Sequence, residues 1–334
     1  MNDKEHRVQP TTSVSAIIPA YNVEKSLGCA IDSALAQNLP PAEIIVVNDG
    51  STDSTADVAR RYGDRITYIE QANAGQGAAR NRGLEIASGR YVAFLDADDY
   101  WLPGFLESCV GFLESTPEPI AVFTAWIKKR KDGSSEIRPA IAADRGVQNE
   151  GPRMLESFYK FWSEHDHVQT GAVMIRSEAA KRIGGMRADL RISQDLEYWG
   201  HIANHGKWGF IPKPLLVNTS ESVVLKGEWV KRYTKRRRLC PTVEQWQSRI
   251  LSQVKEEDMP YFRIIRGRVA AGYVYAKISA GDNAGARHIM DEYANEMPGN
   301  SLTNWGKRAR VLGELSWNLF CRFVRFREHL KALR

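Results

Sequence analysis

At 334 residues the chain has room for one large domain or two, and 43% hydrophobic with 26% charged residues is an ordinary globular composition. No run of about 18 apolar residues occurs, which excludes a membrane-spanning helix. The polar start "MNDKEHRVQPTTS" lacks the apolar core of a secretory signal, so the cytoplasm is the expected compartment.

The net charge of +6 is unevenly divided. Residues 1–225 carry 24 Lys and Arg against 29 Asp and Glu, net −5, while residues 226–334 carry 22 against 11, net +11. Two regions with different tasks are expected, divided at 225/226. The basic region suits nucleic acid, anionic lipid or an acidic partner. It holds no zinc-finger or helix-turn-helix signature, so nucleic acid is not expected. Cys29, Cys109, Cys240 and Cys321 stand far apart and form no Cys-x-x-Cys pair. They read as reduced thiols, not as zinc ligands or a disulfide framework.

In chain order, "VSAIIPA" (14–20) predicts a strand, and residues 24–38 put Leu27, Ala30, Ile31, Ala34 and Leu35 at helical spacing. "EIIVVN" (43–48) predicts a second strand and 51–63 a helix closed by Gly63. "RITYIE" is a third strand, 75–89 a helix, and "YVAFL" a fourth strand. A helix from Pro103 to about Thr116 and a strand "IAVFTAW" follow, then a charged, loop-like stretch at 128–150. "QTGAVMIR" (169–176) predicts a strand, and "SEAAKRIGG" a helix with Ser177 as N-cap. A further helix runs from Ser193 as N-cap to Gly206. Beyond about 225 the helical period dominates. The strand–helix rhythm predicts an α/β fold with a largely parallel sheet and helices on both faces.

In such sheets ligands bind at the carboxyl ends of strands. The polar clusters there are "YN" (21–22), "NDGSTD" (48–53) and "DADD" (96–99). Three carboxylates within four positions, Asp96, Asp98 and Asp99, repel one another unless a cation or hydrogen-bond donors hold them. On those residues alone, a metal site and a plain turn are both open. A carboxylate after the second strand can accept from a nucleobase or ribose. Carboxylates after the fourth can ligate a divalent cation that bridges a diphosphate. Between them a glycine-rich turn, Asn73, Gly75, Gly77, Arg80 and Asn81, enters a helix and offers backbone and a guanidinium to an anion.

The pieces "SAIIPAYN", "IIVVNDGSTD", "NAGQGAARNRG", "SGRYVAFLDADDYW" and "IGGMRADLRISQDLEYWGHIANHG" together resemble family 2 glycosyltransferases of the GT-A fold. They stand in the family's order and span roughly residues 13 to 217. The resemblance implies a GT-A nucleotide-binding sheet over 1–225, followed by a basic, mainly helical region over 226–334. It implies that Pro19, Ala20 and Tyr21 pack on the nucleobase, that Asp49 hydrogen-bonds the base, and that Arg80 lies near the donor. Asp96 and Asp98 match the DxD pair: Asp96 near ribose or metal, Asp98 on Mn²⁺ or Mg²⁺. Asp195 matches the catalytic base, with Gln194 and Trp199 on the acceptor side. The family's usual Glu-Asp is here Gln194-Asp195, which loses a flanking charge and keeps the base.

The implied function is inverting transfer from a nucleotide-sugar donor, UDP-sugar first, to a glycan or lipid-linked acceptor in cell-surface polysaccharide assembly. Two other readings stand beside it. A sugar-1-phosphate nucleotidyltransferase would need a GxGTR-type loop where this chain has "PAYNVE". A non-catalytic nucleotide-sugar binder would dispense with Asp195. The pairs His165/His167 and His201/His205 lack a third ligand or an HExxH pattern and read as solvated positions. So does "KRYTKRRR" (231–238).

In the C-terminal stretch 310–330, Leu312, Leu315, Leu319, Phe323, Phe326 and Leu330 recur at steps of three or four, flanked by Arg322 and Arg327. Three partners are open for this stripe: the catalytic domain, a second subunit in a homo-oligomer, or the anionic inner face of the cytoplasmic membrane.

Overall fold

The computed structural model describes residues 13–130, 132–165, 167–219 and 237–333. By contact the chain forms two compact units: Met1–Glu156, Asp166–Met186 and His205–Ser222 in the first, and Ser157–His165, Arg187–Asn204 and Val223–Arg334 in the second. The expected division at 225/226, like most of "KRYTKRRR", lies outside the described residues. Two segments N-terminal to it, 157–165 and 187–204, cluster with the C-terminal helices.

The first unit is built on a ten-stranded sheet. Its strands are β1 (Val14–Ala20), β2 (Glu43–Asn48), β3 (Thr67–Glu70), β4 (Tyr91–Phe94), β5 (Tyr100–Trp101), β6 (Ala121–Lys129), β7 (Ser135–Arg138), β8 (Arg153–Met154), β9 (Val173–Arg176) and β10 (Trp208–Asn218). They run in the order β3-β2-β1-β4-β9-β6-β10-β5, with β7 on β6 and β8 on β10. The first four are parallel to one another. The sheet is then mixed: β9 is antiparallel to both β4 and β6, β10 is parallel to β6, and β5 is antiparallel to β10. This departs from the largely parallel sheet expected. A buried apolar strand reads the same in either direction, so composition carries no sign of its polarity.

The charged stretch 128–150 also departs from the expected loop. β6 continues to Lys129, the chain turns at Gly133 (φ 83°), and β7 returns antiparallel with Lys128 opposite Glu136. Arg130 pairs with Glu136 at 2.5 Å. Charge on a strand of this kind discourages further pairing, and in sequence it looks like a loop.

Helices flank the sheet and seat on it through small residues. The helix Gln76–Ile86 buries Gly77, Ala79, Gly83 and Leu84. A methyl group on Gly83 would sit 2.4 Å from Ile17 Cγ2, so only glycine lets this helix approach β1 so closely. The core between helices and sheet includes Ile18, Ile31, Val46, Leu95, Trp101 and Phe105. Ser177 begins its helix, Ser177–Ile183, without making the cap bond expected of it.

The second unit is helical: Phe158–Glu164, Gln194–Ala203, Val243–Gln247, Met259–Ala280, Asn283–Tyr293, Ser301–Val311 and Glu314–Leu333. Polar residues start several of these helices. Thr242 and Gln245 form a capping box, and Asp282 and Asn300 accept from the backbone N–H groups of Gly285 and Thr303. Gly281 (φ 91°) ends Met259–Ala280 in the left-handed conformation that favours glycine. Trp246 and Phe262 stack in the core with ring planes 2° apart. Among the described residues no helix is long and apolar enough to cross a membrane, and all four cysteines are free.

Candidate active site

β2, β1 and β4 are parallel neighbours, so their carboxyl ends lie along one edge of the sheet. That edge brings together the residues after each strand: Tyr21 and Asn22, Asp49, and Asp96 to Asp99. Pro19 and Ala20 are buried at the end of β1, and Tyr21 follows with its ring exposed. Asn22 adopts φ 51° and is tied to the second cluster. Its N–H donates to Ser51 Oγ at 2.9 Å, and its Oδ1 accepts from Thr52 N–H at 2.7 Å. Val23 N–H donates to Thr55 Oγ1 at 2.8 Å. The loops after β1 and β2 are thus held as one surface.

Asp49 is buried. Its Oδ1 accepts from Gln71 Nε2 at 2.8 Å and from Ala74 N–H at 2.8 Å, and its Oδ2 accepts from Gly75 N–H at 2.7 Å. Asn73 Nδ2 donates to the Asp49 carbonyl at 2.9 Å. A carboxylate has about four acceptor positions, so about one remains for a ligand. Asp49 therefore organises the glycine-rich turn. Gly50 (φ 71°) is required beside it, since a Cβ there would lie 2.8 Å from Asn73 N.

The sequence places Arg80 on a turn that offers its guanidinium to an anion. In the structure the side chain is 2% exposed and turns inward, where Nη2 donates to Asp96 Oδ1 at 2.5 Å. Nη1 lies 3.8 Å from Met186 Sδ, and Nε is buried without a hydrogen-bond partner. The next residue, Asn81, grips the same methionine by its backbone. It accepts from Met186 N–H at 2.8 Å and donates to Met186 O at 2.7 Å.

The DADD turn follows Leu95. Burial, then repulsion from Asp96, pushes the Asp98 carboxyl up to about 6, and Arg80 offsets only part of this. Asp99 is raised further by burial and by both neighbouring carboxylates. Donors hold Asp99 in place: Asn218 Nδ2 at 3.1 and 3.0 Å, Thr219 N–H at 3.0 Å, and Gln169 Nε2 at 3.5 Å. Thr219 Oγ1 donates to Asp98 O at 2.5 Å. Asp99 therefore secures the turn, while Asp96 and Asp98 carry negative charge that Arg80 alone does not balance. This set fits a hard divalent cation in kind. Two carboxylates are short of a full coordination shell, and among the described residues no group of three or more His, Cys, Asp or Glu has metal-binding geometry. Diphosphate oxygens and water would have to supply the remaining ligands.

Gln194, Asp195 and Trp199 stand in the second unit, on the helix Gln194–Ala203. Ser193 precedes it in the left-handed conformation (φ 58°), without the side-chain cap bond expected. Tyr273, in the same unit, has its phenol raised by burial and by nearby charges that include Asp195 and Glu197. Asp195 is half-buried in the first turn, and its Oδ1 accepts from Leu196 N–H at 2.9 Å. The helix is anchored by Glu197, which Arg249 grips through Nε at 2.8 Å and Nη2 at 2.6 Å. Gln194 and Trp199, expected on the acceptor side, are both buried. His201, expected on a solvated face, is also buried, while His205 is exposed.

Sequence reasoning missed the holding contacts. Asn218, Thr219, Gln169 and Met186 carry no local signal. Each acts through a partner about 70 to 120 positions away.

The model of the family described as "Glycosyl transferase family 2" matches residues 15–183. The chain is 46% identical over 187 residues to the uncharacterized glycosyltransferase RP339 of Rickettsia prowazekii, covering 56% of this chain and 57% of that one. It is 32% identical over 188 residues to the uncharacterized glycosyltransferase EpsJ of Bacillus subtilis, covering 55% and 52%. The matched region is thus little more than half the length of these relatives. Among solved structures it resembles S. aureus TarS 1–349 in complex with UDP-GlcNAc, with TM-score 0.58, 16% identity and coverage of 96% and 92%. It also resembles the mannosyltransferase PcManGT from Pyrobaculum calidifontis in complex with GDP-Man and Mn²⁺, with TM-score 0.53, 18% identity and coverage of 94% and 86%. At such identities the likeness is one of fold.

Proposed function

The chain belongs to glycosyl transferase family 2 and has a GT-A type fold with a helical C-terminal region, and from that premise we propose that it is an inverting, metal-dependent glycosyltransferase. Its donor is a nucleoside-diphosphate sugar, with UDP-sugars first. Its acceptor is a hydroxyl of a glycan or lipid-linked glycan, in cell-surface polysaccharide assembly, and it works in the cytoplasm. The observation that carries this reading is the Asp96–Asp98 pair at the carboxyl edge of parallel strands, next to the Asp49 turn, with charge left over after Arg80. The UDP-GlcNAc and GDP-Man–Mn²⁺ complexes of two fold neighbours support a nucleotide-sugar donor and a divalent ion.

Asp96 and Asp98 would hold Mn²⁺ or Mg²⁺, which supplies charge neutralisation for the diphosphate leaving group. The exposed Tyr21 ring is the packing surface for the base, and the buried Pro19 and Ala20 set its position at the end of β1. Asp49 offers the base its remaining acceptor position and keeps the 73–75 backbone in place. Arg80 acts through Asp96, fixing its orientation. Asp195 takes the proton from the acceptor hydroxyl as that oxygen attacks the anomeric carbon. Attack opposite the departing diphosphate inverts that carbon, so an α-linked donor yields a β-linked product. Gln194 and Trp199 serve the acceptor side indirectly, through the packing of the helix that presents Asp195.

The test is a panel of nucleotide sugars incubated with the protein and Mn²⁺, scoring released nucleoside diphosphate. Release from one or a few donors, abolished by chelation, is the expected result. Tight donor binding with no release would favour the non-catalytic binder. Pyrophosphate formed from a nucleoside triphosphate and a sugar phosphate would favour the nucleotidyltransferase.

A further inference from the structure

The helix Glu314–Leu333 carries two apolar faces, and among the described residues only one of them is covered; on the other, Trp305 meets the edge of the row at Phe323, with ring centroids 4.8 Å apart. Trp317, Phe320, Cys321 and Val324 are buried within the second unit, where Trp305 packs on Phe320 with ring centroids 5.3 Å apart. On the other side Leu315 is 90% exposed, Leu319 63%, Phe323 41%, Phe326 58% and Leu330 43%. Val311 and Leu312, at the corner where the preceding helix ends, are exposed as well. The steps of three and four make one continuous row along the helix. Single exposed apolar residues are ordinary, but a continuous row marks an interaction surface.

The charge around this row selects the partner. At 100° per residue Arg322 falls on one flank of the row and Arg327 on the other. Arg308 is exposed on the preceding helix. None of the three makes an ion pair among the described residues. The helix has two acids, Glu314 and Glu328. Both fall on its far side, and Glu328 is paired with Arg237 at 3.1 Å. A second copy laid on this row would bring arginines against arginines with no acid to meet them. An anionic lipid surface gives each guanidinium a phosphate and takes the Leu/Phe row into the acyl boundary. The excess of 22 basic over 11 acidic residues in 226–334 adds attraction of the same sign.

We propose that the outer face of Glu314–Leu333 docks the protein on an anionic membrane surface, with the helix lying in the plane of the interface. Vesicle binding is measured without donor or acceptor, so its failure leaves the transferase reading untouched.

The test uses the full chain, because deleting the helix would open the core around Trp317 and Phe320. Flotation is measured with phosphatidylcholine vesicles and with phosphatidylcholine containing about a third phosphatidylglycerol, a composition whose negative surface potential attracts basic segments. The expected result is binding to the anionic vesicles that weakens with salt. Leu319→Glu with Phe326→Glu should reduce that binding by roughly tenfold or more, from the apolar area lost. Arg322→Gln with Arg327→Gln should reduce it roughly thirtyfold, at about 1 kcal/mol per basic side chain near such a surface, and leave neutral vesicles unaffected. These side chains are on the surface, so the variants should melt with the parent. If the double Glu variant melts early, Leu315→Glu alone replaces it. No binding to anionic vesicles at low salt overturns the proposal, as does equal binding by the outer-face variants. A solution dimer that these variants dissociate also overturns it, because the face would then belong to a second copy.

Discussion

Arg80 Nη2 donates to Asp96 Oδ1 at 2.5 Å from a side chain that is almost wholly buried. The arginine fixes the first carboxylate of the DxD pair and offsets some of the repulsion that raises Asp98. Arg80→Met keeps the bulk and removes the charge. Breaking a buried pair typically costs about 3–5 kcal/mol, and Asp96 is partly exposed, so about 2–4 kcal/mol is expected here. Urea unfolding measures it, and Mn²⁺ should restore part of the loss by replacing the missing positive charge. A loss under about 1 kcal/mol, small against that expectation, would show that Arg80 does not hold the turn.

Asp49 is expected to matter without any nucleotide. Its carboxylate accepts from Gln71, Ala74 and Gly75. Asp49→Ala leaves these part-buried N–H groups without their acceptor, at up to about 1–3 kcal/mol for each such group. The ligand-free protein should lose roughly 2–4 kcal/mol and bind nucleotide more weakly, because the 73–75 turn is released. Unchanged unfolding with weakened nucleotide binding would confine Asp49 to base contact.

Asp98 provides a pH signature. Its folded pKa of about 6 lies above the ordinary 3.8. Between these values the folded chain keeps a proton that the unfolded chain has lost, so stability from this group falls as pH rises through that window. The penalty at neutral pH is on the order of 3 kcal/mol. Asp98→Asn should flatten the pH dependence of metal-free stability between pH 4 and 6 and raise stability at pH 7. Mn²⁺ bound at Asp96 and Asp98 should displace protons below pH 6, visible as buffer-dependent heat in calorimetry. Asp98→Ala should weaken nucleotide binding only when metal is present. Equal weakening with and without metal would remove Asp98 from the ion.

Asp195→Asn keeps the shape of the helix start and removes the base. Donor affinity should stay close to the parent's, because proton removal belongs to the transition state. Turnover should fall by roughly 10²–10⁴, the range usual for a general base. Transfer above about a tenth of the parent rate would falsify the assignment.

Part of this molecule is legible in one dimension. β1 and β2 run over Val14–Ala20 and Glu43–Asn48, the same spans that their apolar runs and polar boundaries predict. That the residues after β1, β2 and β4 share one edge was readable because parallel neighbours necessarily end on the same edge. The two stripes of the last helix were half readable. Periodicity identifies the row Leu315–Leu330 as one face, but it does not say which face the core takes.

What sequence alone determined is therefore local: where strands begin and end, where carboxylates crowd, and which family pattern they follow. The tertiary structure decided everything that rests on a distant partner. Direction in the sheet depends on the path of the connection, so β9 runs against both β4 and β6 where composition suggested parallel strands. Arg80 carries the chemistry of an anion ligand in any extended reading, and burial under Met186 turned it toward Asp96 instead. Asp99 stands outside the DxD pair in the sequence, but the donor that holds it, Asn218, lies 119 positions later and came within hydrogen-bond reach only on folding. A carboxylate's role is set by which donors surround it, and those donors are assembled by folding, not by adjacency along the chain.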